Sequence, residues 1–174
     1  MSVIGWRQWA VDAHGQLRPA WTPWSPFPPD LLLWRPDGVT RALCLRAQRD
    51  DFSSRMLRVP MAPHPRMPSE DCVCGLYAWL CARALADAAA PTWTSRPIVV
   101  GAARLGGRLV VTERGYRAQL GYPVAVLDPR GVVSPAYAVA RYLSWDALVA
   151  EWDQHDDGDQ DRDRDRDRYP PDPL

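Results

Sequence analysis

Cysteine and histidine are the residues of this chain whose types and spacing are best suited to chemistry. Cys72 and Cys74 form a Cys-x-Cys pair directly before Gly75, Cys44 lies earlier in the chain, and His64 lies in a proline-rich stretch between them. Thiolate and imidazole are the ligands that zinc prefers in proteins, and four such groups close a structural site. The sequence therefore predicts a zinc site made by four side chains: Cys44, His64, Cys72 and Cys74.

Two alternatives to this ligand set stay open. Cys81 follows Cys74 by seven residues, so on a helix that begins at Gly75 it lies roughly on the face of Cys74 and is an alternative ligand in place of Cys44. The cysteines are otherwise small buried core residues. Disulfides are not expected, because the chain shows no export signal and a cytoplasmic location keeps thiols reduced.

A thiol- or zinc-dependent enzyme is a further alternative. The segment DCVCGL (71–76) resembles the Asp-Cys-Ser-Gly-Leu segment of the NlpC/P60 peptidases, in which a cysteine paired with a histidine is the nucleophile. That family places its histidine after the cysteine, whereas the only histidine after Cys74 is His155, in an acidic stretch. The sequence also lacks a phosphate-binding loop, a dinucleotide glycine motif and a His-Glu-x-x-His motif. A non-catalytic role is therefore favoured.

A second resemblance covers roughly residues 34–127. The succession RALC, APHP, DCVCGLYAW and VVGAARLGGRLVVTERGYRAQLGYP resembles a family of small actinobacterial proteins with a Cys-x-Cys-Gly-Ile/Leu-Tyr-Ala motif and no known activity. The chain departs from the family at Gln119, where Glu is usual, and at Gly106, where Trp is usual. The resemblance implies that the three cysteines before residue 75 and His64 form one set, and it implies no activity.

Charge is distributed unevenly along the chain. Residues 1–150 contain 17 Arg and 11 acidic residues, whereas residues 151–174 contain 4 Arg and 10 acidic residues. The last segment is an Asp/Arg repeat with almost nothing apolar to bury. We therefore expect one globular domain over 1–152 and a disordered acidic tail over 153–174. No apolar run reaches the ~20 residues of a membrane span, so no membrane partner is expected.

The segment GYRAQLGYP is the best candidate contact surface. On a sheet face its rings can stack on bases and its arginines can meet phosphates; the residues concerned are Arg114, Tyr116, Arg117 and Tyr122. The excess of six positive charges over residues 1–150 is modest for a nucleic-acid binder. We therefore predict a non-catalytic binding or interaction module with a protein partner. The alternative is a small nucleic-acid-binding protein with an autoinhibitory acidic tail.

The elements that must position these residues indicate an α+β fold. Turn signals at His14-Gly15 and Pro36-Asp37-Gly38 predict two hairpins, and glycine-punctuated β-branched segments predict strands Ile98–Leu105, Arg108–Glu113 and Tyr116–Leu120. We expect a bent, mainly antiparallel sheet or a partly open small β-barrel, analogous to PUA-type folds. Tryptophans at the start of the chain are expected to supply core rather than an aromatic ligand pocket.

A main helix and one or two short C-terminal helices are expected around this sheet. The spacing of Leu76, Trp79 and Leu80 predicts the main helix directly after the Cys-x-Cys-Gly motif. Ser134-Pro135 predicts a short helix to about Leu143, because a capping hydroxyl precedes a proline in the first turn. Ser144 predicts the start of a second short helix, over Trp145–Trp152.

Overall fold

The computed structural model describes residues 2–20, 32–44, 67–69, 72–88 and 95–153. The predicted ligand His64 and the acidic repeat from residue 154 onward lie outside the described residues. The domain boundary at residue 152 accordingly stays a prediction.

One mainly antiparallel sheet organises the described residues, as the sequence predicted. Within them it has seven strands, and two helices accompany it: β1 Val3–Val11, β2 Leu17–Pro19, β3 Thr40–Arg41, β4 Leu76–Trp79, α1 Ala82–Ala86, β5 Ile98–Val111, β6 Gly115–Leu127, β7 Ala140–Tyr142 and α2 Trp145–Trp152. Only the pairing of β6 with β7 is parallel among these strands. The more specific analogy with PUA-type folds stays a prediction.

Four strands close a ring in the order β1, β5, β6, β4 and back to β1. Alternate side chains of these strands point to opposite faces. One face forms a core around Trp9, Trp34 and Leu105. The other face forms a second core that contains Trp6 and Leu148 of α2, with the Trp6 ring centroid 5.5 Å from that of Trp145. The ring thereby has a filled interior, and helices cover part of its outer face.

The segment after Gly75 is a strand, so the helix predicted there is corrected. Leu76 and Ala78 face the inner core, whereas Tyr77 between them is 44% exposed. Period-two burial replaces the helical spacing because β4 pairs with β6 along its length, from Leu76 opposite Ala118 onward. The helix that does follow, α1, is only five residues long. Tertiary pairing therefore overrides the local helical pattern.

The glycine pair Gly106-Gly107 is a bulge and not the predicted turn. Strand β5 continues through it, and its register with β6 shifts between Gly106 and Leu109. Gly107 has φ +70°, which a residue without a side chain adopts most easily. A bulge absorbs the extra residue and bends the strand, so the three predicted strands become two long ones. The second predicted hairpin reduces to β3, which pairs with β6.

The two C-terminal helix predictions have opposite outcomes. Ser134-Pro135 begins a turn that precedes β7. The Asp128 carboxylate accepts the N–H groups of Val132 and Val133 and so fixes the loop before this turn. The helix predicted there is wrong. Helix α2 is confirmed, and the Oγ of Ser144 accepts the N–H of Ala147 at 3.3 Å.

Tyr137 joins three separate segments of the chain. Its buried hydroxyl donates to the carbonyl of Trp34 and accepts the N–H of Leu17 at 2.9 Å. Tyr137→Phe leaves both backbone groups without this partner, so we expect a loss of about 2 kcal/mol in the free energy of unfolding. Urea unfolding measures this value. Tyr142→Phe is the matched control, because that hydroxyl interacts with the side chains of Trp152 and Glu151 on α2 and not with buried backbone groups of distant segments. An equal loss in both variants contradicts the prediction.

Asp12 organises the β1–β2 turn. Burial alone raises its pKa, but the N–H of Gln16, the Arg18 guanidinium and the N–H of His14 together lower the pKa below its ordinary value of 3.8. A carboxylate with a lowered pKa stabilises the fold above the unfolded pKa and loses that contribution as the pH falls. Asp12→Asn should therefore cost about 1 kcal/mol at pH 7, and the difference should shrink as the pH falls below about 4. Urea unfolding across this range tests it. The exposed Asp37→Asn variant should change stability little, and a pH-independent Asp12→Asn effect would contradict the assignment.

Candidate metal centre

Strand β6 brings together the segments that carry three of the four predicted ligands. Cys44 follows β3, which pairs with β6 through Thr40 opposite Gly121 and continues with the N–H of Ala42 bonded to the carbonyl of Gln119. Cys72 and Cys74 precede β4, which pairs with β6 on another stretch. The cysteines are thus positioned by two strands that share one neighbour.

The three thiols form a compact buried group. Cys44, Cys72 and Cys74 are 3%, 5% and 7% exposed, and their sulfur atoms all lie within 4.8 Å of one another. The Sγ atoms of Cys44 and Cys72 are 3.7 Å apart, and all three residues are free thiols. Four sulfurs about 2.3 Å from a tetrahedral zinc ion are about 3.8 Å from one another, whereas a disulfide brings two sulfurs to about 2.0 Å. The spacing fits a shared metal ion, and the group can hold one.

Backbone and burial set the acidity of Cys74. Burial raises the pKa of its thiol, the backbone N–H of Ser69 lowers it, and neighbouring Cys72 and Cys44 raise it again, with a net rise above the ordinary value of 9.0. In the metal-free chain this thiol is therefore protonated at neutral pH. A metal ion that binds here must displace protons, so metal affinity falls as the pH falls.

Arg117 holds the Cys72–Cys74 segment from the adjacent strand. Its Nη1 donates to the carbonyls of Ser69 at 3.1 Å, Cys72, and Cys74 at 3.4 Å. Arg117 lies opposite Tyr77 in the β6–β4 register, and the hydroxyl of Tyr77 donates to the carbonyl of Val73. The guanidinium fixes the backbone that carries two thiols and places a positive charge beside it. Sequence reasoning assigned Arg117 to a contact surface and missed this role.

Gly75 permits the close approach of Arg117. Its φ is +135°, and a Cβ atom at this position would lie 3.0 Å from the Cβ of Arg117 and 3.3 Å from that of Pro68. A side chain here would be strained by both the backbone conformation and the contact. The glycine of the Cys-x-Cys-Gly motif is therefore required by the packing of the Cys72–Cys74 segment against β6.

Cys81 lies outside the three-thiol group. It is the N-cap residue of α1, and its Sγ accepts the N–H of Ala84 at 3.5 Å. The expected shared face of Cys74 and Cys81 depended on a continuous helix, and strand β4 separates them instead. The structure brings Cys44, and not Cys81, to the Cys72–Cys74 pair.

The residues of the predicted contact surface have different environments. Arg114 is exposed in the β5–β6 turn, Tyr116 packs against the inner core, and Tyr122 is half-buried opposite Arg104. Burial raises the pKa of Tyr116, with a smaller contribution from neighbouring Cys81. Because Tyr116 and Arg117 are consecutive in a strand, their side chains point to opposite faces. Their use as one contact surface stays a prediction.

Comparison of the chain with models of known protein families, with curated proteins and with solved structures finds no match. Neither helix in the described part of the chain has the length and apolar character that crossing a membrane requires.

Proposed function

We propose that this protein is a non-catalytic binding or interaction module whose fold is stapled by a structural zinc ion held by Cys44, Cys72 and Cys74. The observation that carries the proposal is the buried group of three unpaired thiols with sulfur–sulfur spacing close to that of a tetrahedral thiolate site. Cys44 and Cys72 are 28 positions apart along the chain, so a shared ion links two distant segments.

The ligand chemistry supports zinc in a structural role. Thiolates favour soft or borderline metals, and hard ions such as magnesium and calcium prefer oxygen ligands. Structural zinc sites are rich in cysteine and closed by a fourth ligand, whereas catalytic sites keep a position open to solvent. The deep burial of the three thiols favours the closed arrangement, with His64 as the proposed fourth ligand. Free thiols also support a reducing, cytoplasmic environment.

The binding role is proposed for a protein partner, with the β5–β6 hairpin as the contact region. The alternative, nucleic-acid binding, is supported by exposed arginines in and after β5: Arg104, Arg108 and Arg114. The two are separated by titrating an oligonucleotide into the full chain and into a chain ending at residue 152. A nucleic-acid binder is expected to bind more tightly without the tail and to weaken steeply with salt.

Elemental analysis and zinc X-ray absorption of the full chain test the metal proposal. We expect about one zinc per chain, with at least three sulfur neighbours at about 2.3 Å. Thiol titration of the native protein should find Cys81 reactive and the other three protected until a chelator or denaturant is added. Metal-free protein with four thiols that react only on unfolding would overturn the proposal.

A further inference from the structure

Arg7 is a charged residue placed on the inner face of the strand ring. It lies in β1 two positions before fully buried Trp9, and its Cζ is 5.0 Å from the centre of the Trp34 ring. Its Nη1 donates to the carbonyl of Tyr77 on β4. Burial lowers the pKa of Arg7 to about 10, so the guanidinium stays protonated at neutral pH. A full positive charge therefore lies against the aromatic core.

Two N–H donors in this region have no acceptor within the described part of the chain. The Nε of Arg7 and the indole Nε1 of Trp9 are both buried and unbonded. The ion pairs found among the described residues use other arginines, namely Arg18, Arg35 and Arg141. Arg7 as a residue is half-buried, but its Nε and the Trp9 Nε1 are buried donors with unmet hydrogen bonds, which destabilise a fold. An ion that is not seen in the structure is one reason for such donors.

The free edge of Arg7 has the geometry that binds a carboxylate. Elsewhere in this chain, Arg35 uses Nε and Nη2 to bind both oxygens of Asp37 at 3.1 Å. Tyr77 engages Nη1 of Arg7, which is not part of that edge. Two parallel N–H groups in this fork match the two oxygens of one carboxylate.

Aromatic rings complete the surroundings of this edge. The Trp34 ring contacts both residues: it lies under the Arg7 guanidinium and is in edge-on contact with Trp9, with ring centroids 5.4 Å apart. Strands β1 and β4 share a single bridge, Trp6 opposite Trp79. Arg7 follows this bridge in β1, and both Arg7 and its hydrogen-bond partner Tyr77 are partly exposed to solvent.

We propose that Arg7, Trp9 and Trp34 form a binding site for a small carboxylate. The Nε edge of Arg7 donates to the two carboxylate oxygens, the Trp9 indole supplies a further N–H, and the Trp34 ring is the wall. The ligand neutralises the Arg7 cation and satisfies the unmet donors. This site is separate from the metal centre and does not depend on the proposed zinc.

Thermal unfolding of the full chain tests the proposal with formate and acetate as probes, against chloride at equal pH and ionic strength. We expect a saturable rise in melting temperature, roughly 5–10 °C at a hundredfold excess over the dissociation constant. Arg7→Met should abolish the rise. The control Arg35→Met, which removes an exposed arginine, should keep it. In the wild type, the indole N–H resonance of Trp9, assigned from its loss in Trp9→Phe, should shift during the titration.

Trp9→Phe also keeps the proposal testable if Arg7→Met does not fold, because it retains the ring packing. We expect it to weaken binding of formate by about fivefold or more, as for a lost hydrogen bond. Equal responses of wild type and Arg7→Met would overturn the proposal. An unshifted Trp9 indole resonance would also overturn the proposal. This is the result expected if a carboxylate of the chain itself already binds the Nε edge of Arg7. Stabilisation by phosphate without any by formate or acetate would overturn the carboxylate assignment.

Discussion

Cys72→Ser should lower the melting temperature of the zinc-loaded protein by about 10 °C or more. The Sγ of Cys72 lies 3.7 Å from that of Cys44, and both are in one buried group with Cys74. Loss of Cys72 therefore removes a ligand that links the Cys72–Cys74 segment to Cys44. Structural zinc contributes about 10–16 kcal/mol in zinc-finger peptides. Loss of even a third of this amount, at about 2–4 °C per kcal/mol for a chain of this size, gives the expected shift. Circular dichroism melts of zinc-loaded protein measure it.

Cys81→Ser is the matched control, because Cys81 is outside the thiol group and caps α1. Serine is a better N-cap than most residues, so this variant should melt at or slightly above the wild-type temperature. A strong chelator should lower the wild-type melting temperature to that of Cys72→Ser and leave Cys72→Ser unchanged. Equal melting of wild type with and without chelator would contradict a structural metal.

The thiol group was predictable because its signal is local in residue type. The Cys72-x-Cys74 pair, in a chain where no disulfide is expected, indicates a metal-ligand set whatever the secondary structure is. The means by which the thiols meet was not predictable. It depends on β3 and β4 both pairing with β6. The predicted hairpin at Pro36-Asp37-Gly38 places a strand at β3 but does not indicate its pairing with β6, and the four residues of β4 have helical spacing.

The errors in the fold share one physical cause. Leu76–Trp79 has helical spacing, Gly106-Gly107 has turn chemistry and Ser134-Pro135 has a helix-start signal, yet the structure of each depends on groups outside the segment. Pairing with β6 makes Leu76–Trp79 a strand, and Gly106-Gly107 forms a bulge opposite Gln119. The Asp128 carboxylate fixes the loop before Ser134-Pro135. Helix α2 has a cap and an apolar face of its own, which explains why its bounds were predicted correctly.

Strand β6 also connects the three-thiol group to the rest of the core. Ala118 faces the inner core, and the next residue back along the strand, Arg117, faces the Cys72–Cys74 segment. Displacement of this part of β6 therefore disturbs the thiol spacing and the ring together. We expect the metal ion and the strand ring to stabilise each other, which makes the residue that joins them the most informative one to change.

Arg117→Met should weaken zinc binding about 10- to 100-fold. Residues that orient metal ligands without touching the metal commonly contribute this much to affinity. Methionine keeps the aliphatic stem and removes the donors to Ser69, Cys72 and Cys74, so the carbonyls of this segment lose their shared partner. Competition with a chromophoric chelator measures the affinity directly.

The control for this change is Arg114→Met, which removes an exposed arginine from the turn that precedes β6 and should leave zinc affinity unchanged. Arg117→Lys restores the charge but not the planar fork, so it should recover only part of the affinity if geometry dominates. Full recovery by lysine would show that the charge, and not the three-carbonyl contact, sets the affinity. If Arg117→Met and Arg114→Met bind zinc equally, Arg117 does not position the thiols, and the Cys72–Cys74 segment owes its shape to Gly75 and the metal alone.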